Sequence, residues 1–595
     1  MRFRSGLAWT VLLVGGLAPA QEAPERLFSA DTQIYFRWDG TATQRAAFEK
    51  TALHKVVFEE FGPLFDSLTA KLTRDKHTQL FRKLAEQGCA LGVEFRNVSP
   101  LEFETILVLP QASQHAEALF ELLRQAIERA GLEADKFQSG GREVHYAEKE
   151  GLYLAWWADG KDLVLSLSTD APKTMLSRLS KRPGLDQNPH FRQLQEYREF
   201  ATTARGYADI PALLKLAEQL QPEMPKAIEI LGLRDLKTYQ FHMGFDGPAL
   251  RTVAIFDAPG PRKGLLKLLS GKPFTLADLP RLPPEITSFD ATSLDLGLLY
   301  DIVLDLVGQL APPPEVEQLR QQISDINRAL GIDLRSDLLG SLGSRIVSYH
   351  SKSAISLLGM TILLEIKDEA KLRQAVTQLT RGCEKLSDGK VRVRTSTYRN
   401  VPLHSLYVEQ EEFPFTPTFA LHQGWLVVGL YPQTVQDFIL RQKGELPAWV
   451  PDAAMKQALN RAPKAFTAVS VSDPRPGVLT LWGLAPIAGA MVANNFPQLE
   501  FDVGLIPHSY AVARHLFPTV SVTTDDGKTI RLQNWTAVPV LDLLAESDTM
   551  MLWLMMASTS MLGRSVGGTF EVIEDRVGGV PAVPPPPPPP PKDRR

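Results

Sequence analysis

The chain has 595 residues, long enough for two to four domains with large cores, and its 44% hydrophobic and 22% charged residues are ordinary globular values. Its formal net charge of −4, with acids and bases dispersed, excludes the concentrated basic face of a nucleic-acid binder and offers no polybasic membrane patch. Cys89 and Cys383 are its only cysteines, too few for a zinc ribbon or an iron–sulfur site.

The N-terminus reads as an export signal. Arg2 and Arg4 form a positive n-region, Leu7 to Leu17 an apolar stretch, and Ala18-Pro19-Ala20 a small-x-small cleavage site. The expected mature chain starts at Gln21 and is periplasmic or secreted. Two cysteines in an exported chain could pair, but they fall at different places in the pattern described below, so two thiols are the expectation.

A strand is expected over Thr32–Trp38, closed by Asp39-Gly40, then helical spacing over Gln44–Leu72 with a break near Gly62-Pro63. Strands follow near Ala90–Phe95 and Thr105–Leu109. The helix Gln114–Ala130 places Ala116, Leu119, Phe120, Leu123, Ala126 and Ile127 on one face. Next come a strand with His145, a core strand Leu163–Leu167, a helix entered through Thr169-Asp170-Ala171-Pro172, and a strand near Arg205–Ile210. Tyr239–Gly244 and Arg251–Phe256 form a hairpin across Asp246-Gly247. Pro259-Gly260-Pro261-Arg262-Lys263-Gly264 then opens a helix over Leu265–Leu269.

After Leu279-Pro280-Arg281-Leu282-Pro283-Pro284 the order returns. Thr361–Leu364 matches Thr105–Val108, and Leu372-Arg373-Gln374-Ala375 repeats Leu123-Arg124-Gln125-Ala126. His404 falls on the strand matching that of His145. Leu426–Leu430 matches Leu163–Leu167, Tyr431-Pro432-Gln433-Thr434 opens the next helix, and a strand spans Ala465–Val471. A second hairpin is expected at Thr519–Thr523 and Thr529–Gln533. Asp-Gly pairs at 39, 159, 246, 388 and 526 favour tight turns because Gly accepts positive φ. The expected class is α+β: two tandem related halves of largely antiparallel sheet with amphipathic helices, intervening hairpin modules and a disordered proline-rich tail. The division reads as signal peptide 1–20, first repeat 27–235, hairpin-helix module 236–278, second repeat 279–480, C-terminal hairpin and helix module 481–575, and tail 576–595. Met550–Leu562 is too short and polar to span a bilayer, so no transmembrane span is expected in the mature chain. The proline run Pro584–Pro591 reads as an extended solvated tail, with a docking site for a protein partner as the other option.

Catalytic motifs are absent by letter or by context. Gly340-Ser341-Leu342-Gly343 lacks the nucleophile-elbow pattern, and Gly271-Lys272 runs into Pro273 where a phosphate loop needs Ser or Thr. Ser387-Asp388-Gly389-Lys390 sits at a hairpin tip, where no helix returns the amine to the hydroxyl. His54 has no second histidine one turn away for zinc, and Asp525-Asp526-Gly527-Lys528 is too short for a calcium loop. No cofactor or metal is expected. The candidate ligand-site residues are His145 and His404, at matching strand positions, and Arg262 with Lys263, at a helix start that could attract an anion. For the histidines the competing reading is a strand position where the ring satisfies one hydrogen bond. For the cations it is solvated loop charge.

Phe28-Ser29-Ala30-Asp31-Thr32, Pro261-Arg262-Lys263-Gly264-Leu265-Leu266 and the restart Leu282-Pro283-Pro284-Glu285 resemble a family of exported bacterial proteins known only as a domain of unknown function. There a proline-and-acid phrase opens each repeat, and a Pro-Arg-x-Gly-Leu-Leu phrase follows a hairpin. The resemblance spans most of the mature chain and implies no activity, cofactor or catalytic residue. The sequence therefore points to a non-catalytic binding, carrier or scaffold role. The alternatives are an envelope hydrolase whose site is assembled from distant segments, and a surface assembly protein that displays the proline tail.

Overall fold

The computed structural model describes residues 23–69, 76–220, 224–351, 359–387, 389–408, 415–495 and 502–539. The signal peptide, Met550–Leu562 and the proline tail lie outside them. The first half contributes β1 (Ile34–Trp38), β2 (Cys89–Val98), β3 (Leu101–Leu109), β4 (Asp135–Ser139), β5 (Arg142–Lys149), β6 (Leu152–Asp159), β7 (Asp162–Ser168), β8 (Thr202–Asp209), β9 (Thr238–Asp246) and β10 (Ala249–Asp257). The second contributes β11 (Ile286–Ser293), β12 (Leu342–Ser351), β13 (Met360–Ile366), β14 (Val391–Tyr398), β15 (Val401–Val408), β16 (Thr418–His422), β17 (Trp425–Gly429), β18 (Ala468–Ser472), β19 (Thr519–Asp525) and β20 (Thr529–Thr536).

All twenty join one antiparallel sheet. In the first half the spatial order is β4-β5-β6-β7-β3-β2-β1-β8-β9-β10. In the second it is β14-β15-β16-β17-β13-β12-β11-β18-β19-β20. Each half thus repeats one topology, and the two hairpins are the inner strands of their halves. The fold is α+β with two tandem related halves.

The halves meet where β10 pairs with β20. Counting from the Asp246-Gly247 and Asp526-Gly527 turns, Arg251 matches Arg531 and Ile255 matches Trp535. Arg251 faces Trp535, Ile255 faces Arg531, and Val253 faces its own counterpart Gln533. That reciprocity is the signature of a two-fold interface, here closed within one chain.

Strand alternation gives the sheet two faces. On one face of the first half, Tyr35, Ile106, Val164 and Trp157 form a core with Phe28 of the N-terminal segment and with α3 (Pro172–Leu179) and α4 (Pro189–Glu196). Gly92 lies directly beneath Phe28, where a Cβ would come within 2.4 Å of the ring. On the other face Leu163 and Leu119 form a core under α1 (Lys76–Gln87) and α2 (Ala116–Arg129). The second half buries the corresponding face under α5 (Leu296–Leu310), α6 (Pro313–Leu330) and α7 (Glu369–Leu386), and its first face under α8 (Pro432–Gln442).

Three sequence expectations change. Ser387-Asp388-Gly389-Lys390, expected at a hairpin tip, instead joins α7 to β14. The Asp39-Gly40 pair makes no hairpin: the chain leaves the sheet for helices, and Asp39 instead binds Arg37 and Arg205. The two Leu-Arg-Gln-Ala strings are also out of register. Leu372 is the fourth residue of α7, and its counterpart by position and packing is Leu119, the fourth of α2; Leu123 lies one turn further on.

One helical run among the described residues, Pro474–Asn495, is long and apolar enough by length and composition to cross a membrane, with 18% of its window buried.

Candidate functional site

The sequence-derived candidates do not converge. His145 and His404 are true counterparts: His145 faces Trp156 across β5 and β6, and His404 faces Phe419 across β15 and β16. Each ring stacks on that neighbour, at 5.8 Å and 13° for His145 and 5.1 Å and 26° for His404. His145 Nε2 lies 3.1 Å from a Glu143 carboxylate oxygen, and His404 Nδ1 lies 3.0 Å from the Thr395 hydroxyl. Burial, with the Arg373 charge, pushes the His404 imidazole below its ordinary value. Yet β5 is second from one edge of the sheet and β15 second from the other. Along the sheet they are on the order of 80 Å apart. Each stack is a cross-strand pair contributing about 0.2–1 kcal/mol, and the two rings share no site.

Arg262 is committed inside the protein. Its guanidinium donates to both Asp525 carboxylate oxygens, at 2.5 and 2.8 Å, to the Ala258 carbonyl at 2.8 Å and to the Ser270 hydroxyl at 2.9 Å. The side chain is 2% exposed, so Arg262 pins the linker after β10 to the second-half hairpin and is closed off from an external anion. Lys263 is exposed, and its backbone N–H donates to Asp235 at 3.0 Å. An internal carboxylate already sits where an anion was expected.

A cluster of buried charges likewise pairs acids with bases of the protein itself. Glu94 and Glu104 face each other across β2 and β3, with Arg182 on Glu94 and Arg178 on both Glu104 and Asp170. Burial and the neighbouring Glu94 charge push the Glu104 carboxyl up to about 7. Among the described residues, no group of three or more His, Cys, Asp or Glu is placed to hold a metal ion.

What the first half does contain is an apolar cavity of about 640 Å³ between the sheet and α1 and α2. Leu107, Leu109 and Leu165 supply its floor, Leu84 one wall, and Leu119 and Leu123 the other. Cys89 lines it with a free thiol, which burial pushes above its ordinary value. Among the described residues no carboxylate lines it, and Arg129 is the one charged lining residue.

The second half fills the same space. Leu372 and Val376 of α7 pack with Leu342, Leu421 and Leu426, while Ala375 packs with Leu330 and Ile332. The key position is the fourteenth residue of each helix: Arg129 in α2 and Gly382 in α7. A Cβ on Gly382 would meet Leu330 Cδ2 at 2.5 Å. Glycine there lets α6 close against α7; arginine at the matching place is incompatible with that closure.

The apolar stripe of α2 held a clue to this. Ile127 packs in a cluster around Trp156 and Leu119 in one with Leu80 and Leu84 of α1, while Phe120 and Leu123 border both. One stripe thus serves two surfaces, and Leu122, outside the stripe, lines the cavity as well.

No protein-family model matches the chain, and no curated protein matches it. Among solved structures it is similar to a protein named TP0453 in several crystal forms. Crystal form I matches at 11% identity over 43% of this chain and 88% of that one, with a TM-score of 0.24. Form III matches at 10% over 42% and 88%, with a TM-score of 0.24. Form IV matches at 11% over 39% and 79%, with a TM-score of 0.22. Likenesses this loose bear no functional argument.

Proposed function

We propose that the protein is an exported, non-catalytic carrier that holds an apolar ligand between α1, α2 and the sheet. The observation behind this is the unfilled apolar cavity of about 640 Å³ in one half, set against a packed core in the matching place of the other. Ligand pockets are commonly apolar cavities of this size with few polar groups. Export rests on Arg2, Arg4, the apolar run to Leu17 and Ala18-Pro19-Ala20, so N-terminal sequencing of the protein from its native source should begin at Gln21.

The test is titration of the full chain with the neutral apolar dye Nile red. One saturable site is expected, lost in Leu123→Trp, whose indole occupies the cavity. Dye binding that survives Leu123→Trp unchanged places the site elsewhere and removes the proposal. So does a wild-type chain that takes up no dye.

A further inference from the structure

We infer that the cavity's ligand is a single-chain amphiphile with an anionic head group, its tail lying along α2 and its head at Arg129. This rests on the carrier reading and goes further in naming the chemistry of both ends.

The cavity is polarised. From Leu119 to Arg129 the helix rises about 15 Å, and the described lining of this wall passes from leucines to Arg129 at the helix end. Arg129 is exposed and makes no hydrogen bond or ion pair among the described residues. Its neighbour on the same helix behaves otherwise: Arg124 is held by Glu121 at 2.8 Å and by Glu128 at 2.6 Å. So α2 neutralises the arginine that points away from the cavity and leaves uncompensated the one that lines it.

An apolar molecule with no charge has no use for that cation. A charged head buried among leucines is excluded by desolvation, so the head must stay at the wet rim while the tail goes in. A rim guanidinium matches a carboxylate or a phosphate, both of which it can bind through two N–H groups. The second half supplies the internal control, with glycine at the same helical position and Leu330 packed directly against it.

The experiment uses the full chain carrying Cys383→Ser, which leaves Cys89 as the single thiol. Cys89 lines the cavity, so a bound tail should slow its alkylation by N-ethylmaleimide. The probes are dodecanoate, dodecyl phosphate and 1-dodecanol. At least one anionic probe should protect at a concentration at least about threefold below that of the alcohol. Comparing dodecanoate with dodecyl phosphate identifies which acid the site prefers. Arg129→Gln should raise the anion's requirement to that of the alcohol and leave the alcohol unchanged. Equal protection by all three probes overturns the head-group inference while the carrier reading stands. An anion preference that survives Arg129→Gln overturns it too, because the charge is then read elsewhere. If no probe protects Cys89, this inference and the carrier reading fall together.

Discussion

The two halves share a strand order and differ in what lies on it. In the second, α5, α6 and α7 cover the sheet, and Gly382 lets α6 approach α7 closely enough for Leu330 to fill the gap. In the first, the shorter α1 covers the equivalent leucines without closing on α2, and a cavity remains. A duplicated backbone therefore does not dictate a duplicated core. Strand pairing is set by backbone hydrogen bonds and turn geometry and survives drift, whereas side-chain filling is decided position by position.

The strongest way to break the comparison is to separate the halves. Arg262 and Asp525 join them through a buried two-point ion pair. Removing one partner leaves an uncompensated buried charge, so Arg262→Ala or Asp525→Ala should each cost about 3–5 kcal/mol in urea denaturation. Loss should be far smaller when both are replaced together. If the single variants unfold like the wild type, the linker is not pinned as the geometry indicates.

Next in size is a matched pair of truncations. Leu372 is 0% exposed and packed on every side, while its counterpart Leu119 is 7% exposed and borders the cavity. Leu372→Ala should cost about 4 kcal/mol and Leu119→Ala about 2, because the cost of a truncation scales with the packing it destroys. Equal losses by thermal or urea unfolding would mean that the cavity is closed in solution.

Much of this fold could be read in the sequence, and the part that could not is instructive. Repeated turns and alternating strands announced two related α+β halves, and His145 and His404 were matched correctly as counterparts. The Leu-Arg-Gln-Ala repeat misled by one helical turn, because four identical letters on amphipathic helices recur by composition alone. Spatial order was hidden as well: matching positions at opposite edges of a long sheet cannot share a ligand. Neither Arg262's partner, 263 residues away, nor the packing of Gly382 against Leu330 leaves a local signal. Several hairpin tips also escaped a search for Asp-Gly, since Gly140-Gly141, Glu150-Gly151, Arg399-Asn400 and Gln423-Gly424 take positive φ instead.

One strand in from the seam, on β9, the first half carries a pH response. His242 is fully buried, stacked on Tyr197 at 3.7 Å, and its Nδ1 has no hydrogen-bond partner. Burial lowers its imidazole to about 4, with Arg205 and Arg531 adding to the shift and Glu199 opposing it. Above pH 6.5 both folded and unfolded chains hold it neutral. As pH falls from 6.5 towards 4 the unfolded state takes up the proton first, so stability is lost across that window, by about 3 kcal/mol in all. His242→Gln should flatten this part of the stability profile measured by urea unfolding. An unchanged slope would show that the histidine is protonated inside the fold.

The smallest effect separates the halves most sharply, because it should differ in sign. Leu123 and Val376 are each the eighth residue of their helices, α2 and α7. Replacing Leu123 by Trp adds volume beside the cavity, where nothing must move, so Leu123→Trp should be neutral or stabilising by up to about 1 kcal/mol. Val376 is 3% exposed in a filled core, so Val376→Trp forces neighbours off their rotamers and should destabilise by about 1–3 kcal/mol or more. The two variants share a fold position and a new side chain, so a difference between their unfolding midpoints reports the filling of the space beneath the helix. Equal destabilisation would mean that the first half has no room under α2, and an apolar tail could then enter only by displacing the leucines that line it.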